Sequence, residues 1–496
     1  MRRLALVLLL AALPASGAAQ VGYRLRLDAR AQAVSYRGLT PDSVPVTDTV
    51  TGPGGGPGTT SGYAVYCLAG EAYCTYYRPG PELRAVPLET EADLSLWGFG
   101  VAGLSARIDA LLGTDLGNAT TWPGTDPALQ LKEGYVEYTR GWLLGRGGRQ
   151  IVSSRLGYLG FDGGFARVRD FQHGLEADGY AGWGLARGSL LPVTSPELNP
   201  LNEFRPMQRT VVAGVDGGWS GSRFDLRADY RREVDPTVSY FVSERAAAQA
   251  VLRPLDRVTL QAGSDWDLAA GQWGSAEASA SYAAPRVNAT AGVRRYRPYF
   301  DLWSIWMAFS PVPYHTWFGQ LGGRPLSWLE LRGRYERYEF DPSEVSTALV
   351  DVKNDGWRYE VGGTVTRQAW TLDAGWHGDF GPGASSSGLS GSVSYAPSRW
   401  RVTAFASGFD RPLELRYDDA KFWTLGLDAQ TELSPSLRCA LGAAYYKEDR
   451  QRPDAAGIDW SQLRLNAQVT LVLGRAADML RLPKAVRRQP GGRADR

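Results

Sequence analysis

The chain has 496 residues with a formal net charge of +2, and 59 glycines, 24 tyrosines and 17 tryptophans stand against 4 methionines, 3 cysteines and 3 histidines. A mean hydropathy of −0.27 excludes a helical membrane protein, and the aromatic content excludes a disordered chain. So few His and Cys leave little for a multi-ligand metal site or covalent haem, and the near-neutral charge gives no reason to expect nucleic acid.

The chain opens on a secretory signal. Arg2 and Arg3 precede an apolar run, Leu4 to Leu13, and small residues around Ala18 and Ala19 supply a cleavage site. Residues 1–19 are therefore expected to be a signal peptide, too short to span a bilayer as a helix. No later stretch approaches about 18 uninterrupted apolar residues.

From residue 22 to 474 a period-two pattern recurs. Phe224, Leu226, Ala228 and Tyr230 share one face, and Arg223, Asp225, Arg227, Asp229 and Arg231 the other. The same dyad runs through Ser327–Tyr338, Trp370–Phe380, Trp400–Gly408, Trp423–Leu433 and Gln462–Leu473. Successive strand side chains point to opposite faces, so each segment has an apolar and a polar side. These runs exceed the usual five or six residues of a soluble sandwich strand and have the length of a tilted membrane-crossing strand.

The connections alternate as well. Short links fall at 97–99, 140–142, 219–221, 253–255, 284–286, 367–369, 396–398 and 433–435. Between them lie mostly longer ones: 38–87, 112–128, 153–162, 186–206, 299–311, 341–354, 381–387, 410–415 and 448–459. Short periplasmic turns and long outer loops produce that asymmetry in membrane barrels, and a sandwich has no reason to keep it. The expectation is an all-β, transmembrane, antiparallel up-and-down barrel of about 22 strands, including a long outer loop at 38–87. A basic periplasmic tail, 475–496, follows it. Lipid supplies no hydrogen bonds, so the sheet must close. Trp97, Trp142, Tyr180, Trp219, Tyr282, Trp357, Tyr395, Trp400 and Tyr445 sit near segment ends, where interfacial aromatic girdles belong.

The signal segment, dyad strands and alternating loops resemble Gram-negative outer-membrane porin-type barrels over nearly all of residues 20–474. The stretch Leu131–Tyr138, followed by Gly148-Arg149-Gln150, is similar to a hairpin of porin and alginate-export-like barrels. The chain departs from that pattern at its last strand, which ends near Leu473-Gly474 without a terminal aromatic.

Few residues suggest chemistry. Cys67 and Cys74 lie in the first outer loop, where an exported setting favours a disulfide over free or metal-binding thiols. Cys439 falls on the apolar phase and should face lipid. His377 falls on the polar phase beside Asp373 and Asp379, either as a proton-active group or metal ligand or as a solvated wall residue. No spacing specifies a Ser–His–acid arrangement, so no enzyme, catalytic residue, metal or cofactor is expected.

The polar phase carries both signs. The residues expected to line a pore are Arg24, Arg26, Arg107, Arg223, Asp225, Arg227, Asp229, Arg231, Asp265, Arg294, Glu330, Arg332, Arg334, Glu336, Arg358, Asp373, His377, Arg438 and Arg464. Arg24, Arg26 and Arg30 on the first strand are expected to pair with Glu89, Glu91 and Asp93 on the second. Loop 38–87 could constrict the lumen or cap it. The segment Tyr299–Phe309 could pack on the wall or form a partner-binding patch.

The function expected is passive diffusion of small polar solutes or ions through a charged lumen in the outer membrane, without strong ion selectivity. Barrels of about 22 strands are usually plugged, and no plug-sized segment precedes the first strand. Two rivals follow: a plugless sleeve around a periplasmic partner such as a multihaem cytochrome, and a structural or adhesion barrel acting through its outer loops.

Overall fold

The computed structural model describes residues 21–51, 56–117, 129–185, 210–234, 236, 241–297, 313–341, 354–381, 384–414, 420–450 and 460–474. The expected signal peptide, the segment Tyr299–Phe309 and the basic tail lie outside the described residues. The strands in chain order are β1 Gly22–Pro45, β2 Tyr73–Ala85, β3 Pro87–Trp97, β4 Leu104–Asp115, β5 Leu129–Arg140, β6 Leu143–Ser154, β7 Gly157–Asp170 and β8 Leu175–Gly184. They continue as β9 Val211–Ser220, β10 Phe224–Val234, β11 Phe241–Leu255, β12 Val258–Asp267, β13 Gln272–Ala283, β14 Val287–Tyr296, β15 Tyr314–Leu326 and β16 Leu329–Phe340. The remainder are β17 Asp355–Arg367, β18 Trp370–Gly381, β19 Ala384–Tyr395, β20 Trp400–Glu414, β21 Ala420–Ser434, β22 Leu437–Arg450 and β23 Trp460–Gly474.

From β3 onward each strand pairs antiparallel with the next, and β23 pairs with β1 from Arg24↔Gly474 to Val34↔Arg464. The sheet therefore closes and leaves no edge for lipid to desolvate. β2 and β3 both pair with β1, at Val34↔Ala85 and above and at Ala31↔Leu88 and below. They are two parts of one stave, broken only at Val86, whose N–H donates to Asp115 Oδ1 at 2.8 Å. The 23 strands thus make 22 staves.

Connections alternate in kind around the rims. One rim carries turns such as 98–103, 141–142, 171–174, 327–328 and 435–436; at the other, strands end at Gly184, Tyr296 and Phe340 and resume at Val211, Tyr314 and Asp355. Several expected loops are shorter than the sequence suggested, because β19 starts at Ala384, β20 runs to Glu414 and β22 to Arg450. Two expected loops are largely strand. The first is 38–87, where β1 and β2 continue as a ribbon whose Val34–Pro45 side spans about 36 Å at about 3.3 Å per residue. The second is 153–162, which holds the ends of β6 and β7 and a two-residue turn.

Which face is inward follows from contacts across the barrel. Arg155, in the β6–β7 turn, meets Glu277 on β13, six staves away, with Nη1 2.8 Å from Oε1. Only the interior permits that contact. Alternation from Glu277 puts Arg294, Glu336, Arg358 and Asp379 inside and Leu331, Val361, Leu372 and Leu389 outside, where they are exposed. An exposed apolar outer face on a closed barrel is the surface that a bilayer covers, so the barrel is transmembrane. Trp357, Tyr359 and Phe380 stack on this outer face, with ring centroids 4.4–6.5 Å apart. Cys439 takes the same outward phase as Leu441. Tyr180 does not join a girdle, because it points inward, 5.4 Å from the Phe161 ring.

Candidate functional site: an interior crossed by its own hairpin

β6 pairs with β5 only from Arg140↔Leu143 to Gly134↔Arg149, whereas β5 stays on β4 as far as Leu112↔Leu129. Beyond that point β6 leaves β5, while β7 stays on β8 as far as Gly184↔Phe161 and the Leu185 N–H donates to the Gly160 carbonyl at 2.8 Å. Glycine makes the bend possible. Gly148 and Gly163 lie opposite each other, and Gly148 has φ 132°, a conformation that L side chains rarely adopt. A Cβ on Gly163 would sit 2.1 Å from the Ala181 carbonyl oxygen. Arg149 repairs the seam. It grips Asp162 at 2.7 and 2.9 Å and donates to the Leu131 carbonyl at 3.1 Å, on the stretch of β5 that β6 has left.

The hairpin tip is anchored on the wall three and four staves on from β7. The Leu156 carbonyl accepts from Arg231 on β10 at 3.0 Å and from Arg245 on β11 at 3.2 Å. Arg245 also donates to Asp265 at 3.1 Å, and Asp265 accepts from the Ser275 N–H and hydroxyl at 3.1 and 2.6 Å. Arg231, Arg245 and Asp265 are all buried, so these contacts replace the water they have lost. Beneath the tip Leu159, Phe161, Phe165 and Val212 form an apolar core inside the barrel, with Leu144, Val152 and Tyr180 around it. The charged groups Arg155, Arg245 and Glu277 were not singled out in the sequence, although β11 and β13 carry the same dyad.

The opposite arc, β14 to β18, is upright and ion-paired. Glu336 is 1% exposed and accepts from Arg294, Arg334 and Arg358 at 3.3, 2.9 and 3.3 Å. Arg358 also holds Asp379 at 2.8 Å. Arg332 bridges to Asp373 at 2.8 Å and to Glu360 at 3.5 Å, and the Thr364 hydroxyl donates to Asp373 at 2.6 Å. His377 lies opposite Glu360, with its ring 6.4 Å from Phe409. Glu330 pairs with Arg324 at 2.8 Å.

The remaining expected wall residues scatter. Arg24, Arg26 and Arg30 do face Ser95, Asp93 and Glu89 in register, but Arg26 closes on Asp28 of its own strand at 2.6 Å. The acids turn to the next staves instead: Asp93 to Arg107 at 3.1 Å and Glu91 to Lys132 at 2.6 Å. A residue two positions away on the same strand face costs less chain ordering than a partner on another strand, and β4 and β5 supply cations the sequence pairing ignored. Arg223 lies in the 221–223 turn, outside any strand, while Asp225 meets Arg253 at 2.7 Å. Arg227 stands opposite Gly218 and Gln249, and Asp229 opposite Asp216. Arg438 pairs with Glu432 at 2.6 Å, and Arg464 sits 4.7 Å above the Tyr446 ring.

Glu176, Asp178 and Asp216 bring ligand atoms within 4.8 Å of one another. Arg167 already occupies this group, 2.6 Å from Asp178 and 3.4 Å from Glu176, so a cation there would have to compete with it.

No family model matches the chain, and no curated protein matches it. Among solved structures it is similar in outline to a BenF-like porin from Pseudomonas fluorescens Pf-5, 11% identical over 92% of this chain and 99% of that one, with a TM-score of 0.42. Pseudomonas aeruginosa OpdL is 12% identical over 92% and 99%, TM-score 0.41. Pseudomonas aeruginosa OpdK with vanillate is 11% identical over 91% and 99%, TM-score 0.40. The fold of this chain rests on its own closed ladder.

Proposed function

We propose that the protein is an outer-membrane channel through which small polar solutes or ions diffuse passively. The observation that carries this reading is the interior itself: a closed wall lined by ion pairs of both signs, narrowed by a hairpin pinned across it at Arg155–Glu277. Arg294, Arg332, Arg334, Arg358, Glu336 and Asp373 then act as wall groups that keep water and polar solutes in contact with the lumen. Because their charges are mutually compensated, ion selectivity is weak. The hairpin, rather than loop 38–87, is the constriction in this reading. It also speaks against the sleeve, since a periplasmic partner would have to displace the apolar core under Phe161.

Conductance of the purified, folded protein in planar bilayers is the test. A steady open current is expected, and Arg155→Ala should raise it, because the tip loses its side-chain anchor while Glu277 keeps Arg294 opposite. A correctly folded barrel that passes no current, in wild type and variant alike, would sink the channel reading.

A further inference from the structure

The β1–β2 ribbon has two unlike faces. One face is covered by the chain's own tip: Cys74 is fully buried, and Tyr63 stacks on Tyr76 with centroids 5.6 Å apart. The other face is bare. Thr75 lies opposite Ser43 on β1 and exchanges both backbone hydrogen bonds with Tyr66, at 2.8 and 2.9 Å. Residues directly opposite in a ladder share a face, as do residues two apart on one strand. Tyr66, Tyr73 and Tyr77 therefore surround Thr75 on one side of a three-stranded patch, 69%, 57% and 62% exposed. The Cys67–Cys74 disulfide pins Tyr66 beside this patch. Pro41, Ser43 and Leu68, two residues on from Tyr66, complete the face, which carries no charged side chain among these positions; Asp42 and Arg78 are on the other side and pair with each other at 2.7 Å.

We propose that this face is a carbohydrate-binding platform for a neutral glycan chain. Tyrosine offers a rigid apolar ring, on which the C–H face of a sugar can stack, and a hydroxyl for its polar edge, at little entropic cost. Ser43 and Thr75 add hydroxyls between the rings. The lack of cations gives a polyanion nothing to neutralise. The proposal rests on the outer-membrane reading, which sets the ribbon among surface sugars.

The test uses the full-length protein folded in detergent, run in native gels containing dextran or mannan, both neutral, or polygalacturonate, which is anionic. The wild type should be retarded by a neutral polymer, and Tyr66→Ala/Tyr73→Ala/Tyr77→Ala should weaken that retardation at least about tenfold, the loss of a strong aromatic contact. The matching triple Tyr→Phe variant should keep most of it, because stacking survives. All three proteins must show the same heat-modifiable mobility, which establishes equal folding. No retardation by either neutral polymer, equal retardation of the alanine variant, or a preference for polygalacturonate overturns the platform. So does self-association of the wild type that the alanine variant loses without any glycan binding. The alanine variant should conduct as the wild type does, so failure of the channel and failure of the platform are read separately.

Discussion

The β6–β7 and β1–β2 hairpins both outgrow the wall, yet the first bends into the barrel and the second leaves it as a ribbon. Their sequences explain the divergence. The inward hairpin carries Gly148 and Gly163 where it must bend, and Leu159, Phe161 and Phe165 on the side that turns in. Burying those side chains drives the fold inward, and Arg155 and the Leu156 carbonyl fix where the tip lands. The ribbon has no comparable apolar row. Its β1 limb holds Pro41 and Pro45, its exposed face is tyrosine and hydroxyl, and a disulfide rather than a core closes its tip. Apolar burial inside a barrel thus selects a constriction, and its absence leaves an extension.

The contrast is broken most severely at Phe161. This ring is fully buried between Tyr180 and Val212. Phe161→Ala should cost about 3–5 kcal/mol, through lost transfer energy and the cavity left behind. Urea titration of the protein folded in detergent should show the midpoint falling, and bilayer recordings should show a wider, noisier pore. Unchanged stability would mean that the hairpin is not held by its apolar side.

Next in size is Gly163→Ala. The added methyl would meet the Ala181 carbonyl oxygen at 2.1 Å and the Gly182 Cα at 2.6 Å, both backbone atoms that cannot step aside cheaply. A cost of about 1–3 kcal/mol is expected from overpacking, with the hairpin displaced rather than the barrel opened. Heat-modifiable mobility should therefore persist while conductance rises. Loss of the folded band would show that the bend is needed for closure of the barrel as well as for constriction.

The stave count and the phase of most strands were legible because both depend on local period two. The hairpin was not. Gly157, Gly160, Gly163 and Gly164 look like loop punctuation, and a polar-means-inside rule cannot place Phe161 or Tyr180, which turn in because the hairpin supplies an apolar partner there. Arg155 and Glu277 are 122 residues apart, a pairing no local pattern encodes. The ribbon was hidden for a different reason. Pro41 and Pro45 read as strand breakers, yet each needs only one free backbone side, which a two-stranded ribbon provides. Arg26 shows the limit at the level of single pairs, since register alone could not choose between Asp93 across the ladder and Asp28 beside it.

The smallest expected effect is on the ribbon and depends on pH. The Ser43 N–H donates to Asp42 at 2.8 Å, and Arg78 lies 2.7 Å from the same carboxylate, which together hold its pKa below the usual carboxylate range. A group depressed in the folded state contributes stability above its unfolded pKa, about 4, and loses it as pH falls through the folded value. The ribbon should therefore exchange backbone amide protons faster at pH 3 than the intrinsic chemistry predicts from pH 7, while the hairpin core around Phe161 stays protected. Asp42→Asn should abolish that difference by making the ribbon as open at pH 7 as the wild type is in acid. Because the pair is solvent-exposed, the change is confined to local opening and should leave the unfolding midpoint of the barrel where it was. A midpoint that moved with Asp42 would mean the ribbon is coupled to the wall below it, and the two hairpins would then be less independent than their geometry suggests.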